Sequence, residues 1–445
     1  MSTTTPTTTP TTLTLRTGLD RSLAWDAGGS VRYLVADLTA SGAPATDVTP
    51  PAINLALAID VSGSMDGEKI IAARDTASAV TRALTARDRL TIVAFSREAT
   101  LLLDARTMDD AGRRDALRAI ARLQSGGNTN LWQGWLLAGE RVATAMRDSV
   151  KASHRVLLLS DGQANDGVTD SRELAHHAGE ALARGIITSA VGIGDDYSEA
   201  VLGAMTEAGG GRLHDATYST EISEVVLGEL LEGRSALLER VALRVVVPAN
   251  VRAEVVGAWA HAVLPGAIDV MLGTLLPQSP KCVVLRLHCP AGKAGAHIQF
   301  SATARGMLPE GTGSVDADPC ELELRLADAR DNSPQRRDTD RSVAAFTAWQ
   351  SDAMRRTVSL NREGDRRGAK HYLSRELRWM EPYARDLPGA EPLLAEMVLL
   401  LRRADEEMDP RMQKALFVGS TQRVRSEQDL RYGKQMSIAE VLRGK

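Results

Sequence analysis

No stretch of this 445-residue chain is apolar over the ~18 residues that a membrane helix needs, so no spanning helix is expected. The opening MSTTTPTTTPTT holds neither a basic start nor an apolar core, so no secretory signal is expected there. Cysteine is scarce. Cys282, Cys289 and Cys320 form an odd set without CxxC spacing, which suits buried reduced thiols better than a disulfide or a metal site. Aromatic residues make up 4% of the chain, so its cores must be built from Leu, Val, Ile and Ala. Neither sign of charge dominates: the net charge is −4, which gives no general reason to expect nucleic acid or an anionic membrane as partner. A GxxxxGK[ST] phosphate loop and a GxSxG elbow are both missing, which argues against nucleotide-dependent and serine-hydrolase chemistry. Together these absences lead to the expectation of a cytoplasmic protein without catalytic activity.

What is present centres on INLALAIDVSGSM, Ile53 to Met65. The apolar run reads as a buried strand that stops at Asp60 and is followed at once by Ser62 and Ser64. In an open α/β sheet, ligands bind at the carboxyl ends of the strands. Two further oxygen suppliers fall at suitable places. Thr129 lies in the Gly-rich SGGNTNL loop, and Asp161 ends a second apolar strand, RVLLLSDG. Carboxylates and hydroxyls are hard ligands that suit Mg²⁺, with Mn²⁺ and Ca²⁺ as alternatives, rather than zinc or copper. Taken singly, Asp60 and Asp161 could equally be turn residues that cap the following helices. That reading does not explain all five positions together.

Helices and strands alternate from Asp60 to about Leu231, which predicts a doubly wound, mostly parallel, Rossmann-like α/β sheet. From Leu238 the pattern becomes period-two strands with Pro and Gly breaks, as in an all-β sandwich. The expected organisation is a disordered Thr/Pro tail over 1–12, N-terminal sandwich strands over 13–50, the α/β unit over 51–235 and the rest of the sandwich over 236–330. A helical module over 338–410 and a polar C-terminal tail over 411–445 follow. Residues 361–368 read as a polar loop between two helices. In the tail, Phe417 and Tyr432 are candidate anchors for a neighbouring subunit or partner. His176 and His177 are adjacent on an expected helix and point in different directions, so they do not form a catalytic pair. His214 reads as a loop histidine.

DVSGS, the loop threonine and the strand-end SDG resemble the metal-ion-dependent adhesion site of a von Willebrand factor type A (VWA) domain. The resemblance covers about 52–233, and the overall arrangement is similar to bacterial intracellular VWA proteins and loosely to the inter-alpha-trypsin inhibitor heavy chains. It implies that Asp60, Ser62, Ser64, Thr129 and Asp161 hold the ion, and that an Asp or Glu of a protein partner completes its shell. It also implies a scaffold or adaptor role, with an adaptor subunit of an AAA-type ATPase of the MoxR or chelatase kind as the alternative. A metal-dependent phosphoester hydrolase is the lesser alternative, because no acid or base accompanies the ion. Exchange of a ligand at the ion is further expected to shift the helix over 221–231, which leads into the sandwich. The oligomeric state is left open.

Overall fold

The structure is a computed structural model, which describes residues 10–42, 51–148, 152–194, 197–216, 228, 235–309, 313–425 and 438–443. The Thr/Pro tract before residue 10, most of the 46–51 linker, Tyr432 and the helix expected over 221–231, residue 228 apart, lie outside the described residues.

The chain opens with β1 (Thr12–Leu19), β2 (Leu23–Trp25) and β3 (Val31–Ser41). An alternating stretch follows: β4 (Ala52–Asp60), a 3₁₀ turn (Gly63–Met65), α1 (Glu68–Ala83), β5 (Arg89–Phe95), β6 (Ala99–Thr107), α2 (Asp110–Ala121) and α3 (Leu131–Met146). It continues through β7 (Ala152–Ser160), α4 (Ser171–Ala183), β8 (Ile186–Ile193), α5 (Glu199–Ala208) and β9 (Gly210–Ala216). Its six strands form one sheet in the order β6-β5-β4-β7-β8-β9, parallel except for the β5–β6 edge pair.

Strand β4 shows why this sheet needs helices on both faces. Side chains alternate across a strand. Ile53, Leu55, Leu57 and Ile59 enter one core with α1 and α2, while Ala56 and Ala58 enter the other with α3, α4 and α5. The alanine side lets α3 come close. A Cβ on Gly134 would fall 2.3 Å from the Phe95 ring, so only glycine fits there.

The second architecture consists of β10 (Leu238–Val246), β11 (Arg252–Val256), β12 (Ala260–Leu264), β13 (Ala267–Leu275), β14 (Lys281–His288), β15 (His297–Met307), β16 (Ser314–Asp316) and β17 (Cys320–Ala327). One sheet runs β1-β3-β14-β11, the other β12-β13-β10-β15-β17-β2, with β16 on β15. Every pair is antiparallel except β17–β2. Strand β3 is buried on both faces. Leu34, Ala36, Leu38 and Ala40 point into the sandwich core, and Tyr33 and Val35 point into a helical core on the other side.

That helical core is built by α7 (Thr339–Arg362), α8 (Arg366–Ala384), α9 (Ala390–Arg403), α10 (Pro410–Arg425) and α11 (Ile438–Arg443), after the short α6 (Ala329–Asn332). No helix among the described residues is long and apolar enough to cross a membrane.

Three expectations need correction. Residues 411–445 are not a tail throughout, because their described part forms most of α10 and all of α11. The apolar residues of α10 serve three neighbours: Leu416 sits in the helical core, Val424 in the sandwich core, and Phe417 abuts Gly203 of α5. A helix buried on three sides carries no single apolar stripe, so its period is hidden. The loop over 361–368 shrinks to 363–365. Asn361, buried in the last turn of α7, donates from Nδ2 to the Ala404 and Glu406 carbonyls at 3.0 and 2.7 Å, closing the end of α9. His214 lies on β9 rather than in a loop, because the alternation of GRLHDA turns it inward.

Candidate metal centre

The carboxyl end of β4 delivers Asp60, and the chain then turns through Ser62 and the 3₁₀ turn into α1. The Asp60 side chain is buried. Its Oδ1 accepts from the Ser62 N–H at 2.9 Å and its Oδ2 from Ser160 Oγ at 2.5 Å. Register explains the second bond: Ile59 lies beside Leu159 in the parallel ladder, so Asp60 meets Ser160 one step on. Burial pushes the Asp60 carboxyl up to about 6. The hydrogen bonds from Ser160 and Ser62 pull it back, and the nearby Asp161 adds a small rise.

Ser62 Oγ and Ser64 Oγ stand 3.1 Å apart. The two hydroxyls are hydrogen-bonded to each other. In octahedral Mg²⁺, with ligands at 2.0–2.1 Å, adjacent oxygens are separated by about 2.8–3.0 Å, so the pair stands close to the length of one octahedral edge. Asp161, fully buried after β7, has the ammonium of Lys69 at 3.2 Å from Oδ2. A cation thus already stands on the second carboxylate, and it is one that a divalent ion would have to displace. Gly162 follows with φ +64°, and a Cβ there would come within 2.9 Å of Leu202 Cγ, so the turn after Asp161 requires glycine.

Thr129 is held through its backbone. Its N–H donates to Asn165 Oδ1 at 2.8 Å, and its carbonyl accepts from Asn165 and Asp166 at 3.1 and 3.2 Å. The same loop is tied to the Ser62 turn by Gly63 N–H to Gly127 O at 2.9 Å and Gly126 N–H to Val61 O at 2.7 Å. Three segments from distant parts of the chain are therefore laced together at one sheet edge. Asp60, Ser62, Thr129 and Asp161 are buried and Ser64 is exposed, so the site opens to solvent on the Ser64 side.

The remaining candidates have structural roles. Asn130 caps α3 by accepting from Gln133 N–H at 3.1 Å, and Asp66 accepts from Ser125 Oγ at 2.7 Å. His176 and His177 each approach Glu180 on the surface of α4. Sequence reasoning missed Lys69, Ser160 and Asn165. Ser160 had a signal, a hydroxyl in an otherwise apolar strand one residue before Asp161. Lys69 and Asn165 had none.

The donor set fits a hard divalent cation: two buried carboxylates and two hydroxyls at ligand spacing, with a third hydroxyl on a loop fastened beside them. Two consequences can be measured. Replacing Lys69 with glutamine removes the competing ammonium and should tighten Mg²⁺ or Mn²⁺ binding by roughly three- to tenfold, about 0.7–1.4 kcal/mol, in calorimetry. Weaker binding by the variant would show that Lys69 supports the ion instead of competing with it.

The second concerns pH. The Asp60 carboxyl rises from 3.8 to about 6 on folding, so without metal its contribution to stability is fully present below pH ~4 and is lost as pH rises through 6. That rise is worth about 3 kcal/mol, less about 1 kcal/mol for a hydrogen bond that an amide cannot accept. In EDTA at pH 7, Asp60→Asn should therefore be more stable than wild type by on the order of 2 kcal/mol, an advantage that vanishes by pH 4. Urea melts at the two pH values test this, and a destabilised variant at pH 7 would refute it.

Residues 54–227 match the family model for the von Willebrand factor type A domain. An uncharacterized protein of Synechocystis sp. is 27% identical over 297 residues, covering 62% of this chain and 66% of that protein. Inter-alpha-trypsin inhibitor heavy chain H4 of Homo sapiens is 28% identical over 214 residues, covering 46% of this chain and 23% of that protein. The chain thus spans under two thirds of the length of the first relative and about a quarter of the second. Among solved structures, a von Willebrand factor type A protein from Catenulispora acidiphila superposes with a TM-score of 0.69 at 18% identity, covering 94% of this chain and 98% of that one, which is a likeness of fold. Sheet order, helices on both faces and the family match agree that residues 54–227 form a von Willebrand factor type A domain.

Proposed function

We propose that this protein is a non-catalytic, divalent-cation-dependent protein-binding module, with the ion, Mg²⁺ in the first instance, held by Asp60, Ser62, Ser64, Thr129 and Asp161. The observation that carries this reading is the Ser62–Ser64 hydroxyl pair at 3.1 Å beside the buried carboxylates of Asp60 and Asp161. When bound, the ion supplies an electrophilic centre that accepts a carboxylate oxygen from outside. The chain's own residues do the rest. Ser160 and the Ser62 N–H fix the Asp60 carboxylate, Asn165 fixes the Thr129 loop, and exposed Ser64 marks the side on which a partner's Asp or Glu approaches. The two carboxylates at most balance a divalent charge, which leaves the site receptive to one more anionic ligand.

We further propose domain limits in which the α/β unit, 51–235, is an insertion in a sandwich made from 13–50 and 236–330, with the protein acting as a scaffold inside the cell.

Retention of peptides on the immobilised chain tests the function. Peptides carrying one Asp or Glu should be held in Mg²⁺ and released in EDTA, and their Asn or Gln counterparts should not be held. Equal retention in EDTA would refute the metal-dependent reading.

A further inference from the structure

Strand β12 ends its sheet and pairs, among the described strands, with β13 alone, so its other edge is open. Natural edge strands are blocked against new partners by charge, proline, a bulge or shortness. The other edges of the three sheets obey this rule. β1 carries Arg16, β11 Arg252 and Glu254, β6 Asp104 and Arg106, and β9 Arg212 and Asp215, while β2 and β16 are three residues long. β12 reads AHAVL, with no charge, no proline and an unbroken register.

Apolar side chains stand exposed on both faces of this strand. Leu264 is 41% exposed, on the side of its ladder partner Ala267. Val263 shares a side with its partner Ile268, a core residue, yet is 71% exposed, so the facing sheet does not cover β12. The backbone is available too. Pro265 and Gly266 form a two-residue turn after Leu264, so Leu264, Ala262 and Ala260 exchange their hydrogen bonds with β13. His261 and Val263 then aim their N–H and C=O groups at the open edge.

An open groove of about 570 Å³ runs beside this strand. Ala260, His261 and Ala262 all line it. Consecutive side chains of a strand point to opposite faces, so a space that touches all three follows the edge. The opposite wall is α4 and the end of α5, with small residues at Ala175, Gly179, Ala183, Ala204 and Ala208. No candidate metal ligand, lysine or arginine lines the groove. Of its two acids, Glu207 pairs with Arg355 at 2.9 Å. Glu180, among the described residues, has only His177 and His176 beside it, at 3.4 and 3.7 Å.

We propose that this groove docks an extended segment of a partner protein, apolar with a basic residue, which adds to β12 as a further strand. Main-chain bonds to His261 and Val263 supply the pairing, and pockets for alternate side chains supply the selection. Side chains on one face of the added strand cover Val263. Those on the other fill the space that the small residues of α4 and α5 leave, where a Lys or Arg reaches Glu180. Charge decides the occupant. A second copy of this chain would bring its own AHAVL, which holds no lysine or arginine to meet Glu180. The site lies apart from the candidate ion centre and requires no ion.

Fluorescence anisotropy on the full chain tests this, in EDTA to keep it apart from the ion centre and at pH 8 to keep the histidines neutral. The probes are three labelled, amidated synthetic peptides, TVLVKVT, TVLVEVT and TVLPKVT. TVLVKVT should bind with a Kd below about 0.5 mM. The glutamate peptide, which repels Glu180, and the proline peptide, which cannot complete a strand ladder, should each bind at least tenfold more weakly. Val263→Lys puts a charge on the edge, at an exposed position that folding does not depend on, and should weaken TVLVKVT at least tenfold. Glu180→Gln should shrink the preference for the lysine peptide over the glutamate peptide to below about threefold. The proposal is overturned if TVLVKVT does not bind by 1 mM, if either control peptide matches it, or if Val263→Lys binds it as wild type does. A doubled mass in light scattering that Val263→Lys abolishes would equally overturn it, in favour of a second copy on β12.

Discussion

Replacing Asp60 with alanine is expected to lower divalent-ion affinity at least 100-fold, about 3 kcal/mol, and to abolish ion-dependent retention of acidic peptides. The size of the effect follows from what Asp60 touches. It is one of only two carboxylates at the site, and both its oxygens are already oriented, by the Ser62 N–H and by Ser160 Oγ. An oriented, deprotonated ligand meets the ion without reorganisation, so losing it removes charge and geometry together. Losing only the orienting group should cost less. Ser160→Ala is expected to weaken the ion by roughly tenfold, at the lower end of what removing a ligand's supporting partner costs. Lowering the pH through 6 should mimic Asp60→Ala in the wild type, because the Asp60 carboxyl must lose its proton before the ion can bind. Calorimetric titrations with Mn²⁺ at pH 7.5 and 5 separate these contributions. An Asp60→Ala protein that binds Mn²⁺ as tightly as wild type would remove the site from further consideration, whatever the family likeness.

The second large effect is on stability. Leu416→Ala should destabilise the protein by about 2–5 kcal/mol. Leu416 is fully buried in the core that joins α7, α9 and α10, and its truncation leaves a cavity in a place where no surface chain can fold in. Its neighbour Phe417 provides the contrast. It lies over Gly203 of α5 with the Arg355 guanidinium 5.0 Å from its ring, at the seam between the helical module and the α/β unit. Arg355 also pairs with Glu207 at 2.9 Å across that seam. Phe417→Ala should therefore loosen the two units from each other more than it opens either core. Protease digestion would show cleavage between units for Phe417→Ala and digestion of the helical module for Leu416→Ala. A loss of under 1 kcal/mol for Leu416→Ala in denaturant melts would mean that α10 is peripheral.

The sequence was most legible where structure is local. β4 and β8 stand out because each is a short apolar run bounded by turn residues, and Asp60, Ser62 and Ser64 stand out because they follow one such run within five residues. Thr129 and Asp161 stood out by place, one in a Gly-rich loop and the other at the end of an apolar strand, but nothing in their own spacing says that their loops meet the Asp60 turn. α10 was opaque for the opposite reason: its apolar residues face three partners and so show no period. The aromatic cluster on the helical side of β3 was invisible because of sequence distance: Tyr33 lies hundreds of residues before Trp349 and Tyr383, and the three rings come within 5.6–6.0 Å of one another only when β3 is covered by α7 and α8. The edge strand β12 hid because its outward Val263 is 71% exposed and carries no burial signal.

The pairing of β3 with β14 has a consequence for the order in which the protein is made. Leu38 lies beside Lys281 in that ladder, a separation of 281 − 38 = 243 residues. At roughly 5–20 residues per second, β1 and β3 leave the ribosome about 12–50 s before their partner exists. Only late in that interval does the six-stranded sheet, whose strands lie within 52–216, become complete in sequence and free to fold. β3 meanwhile has neither of the two cores that will cover its faces, and its open edge is an apolar template for pairing with other chains. The nascent protein should therefore depend on a holding chaperone in a window that opens when β3 emerges and closes when β14 does. Ribosome-stalled chains ending just before residue 281 and just after residue 330 should differ sharply in chaperone occupancy.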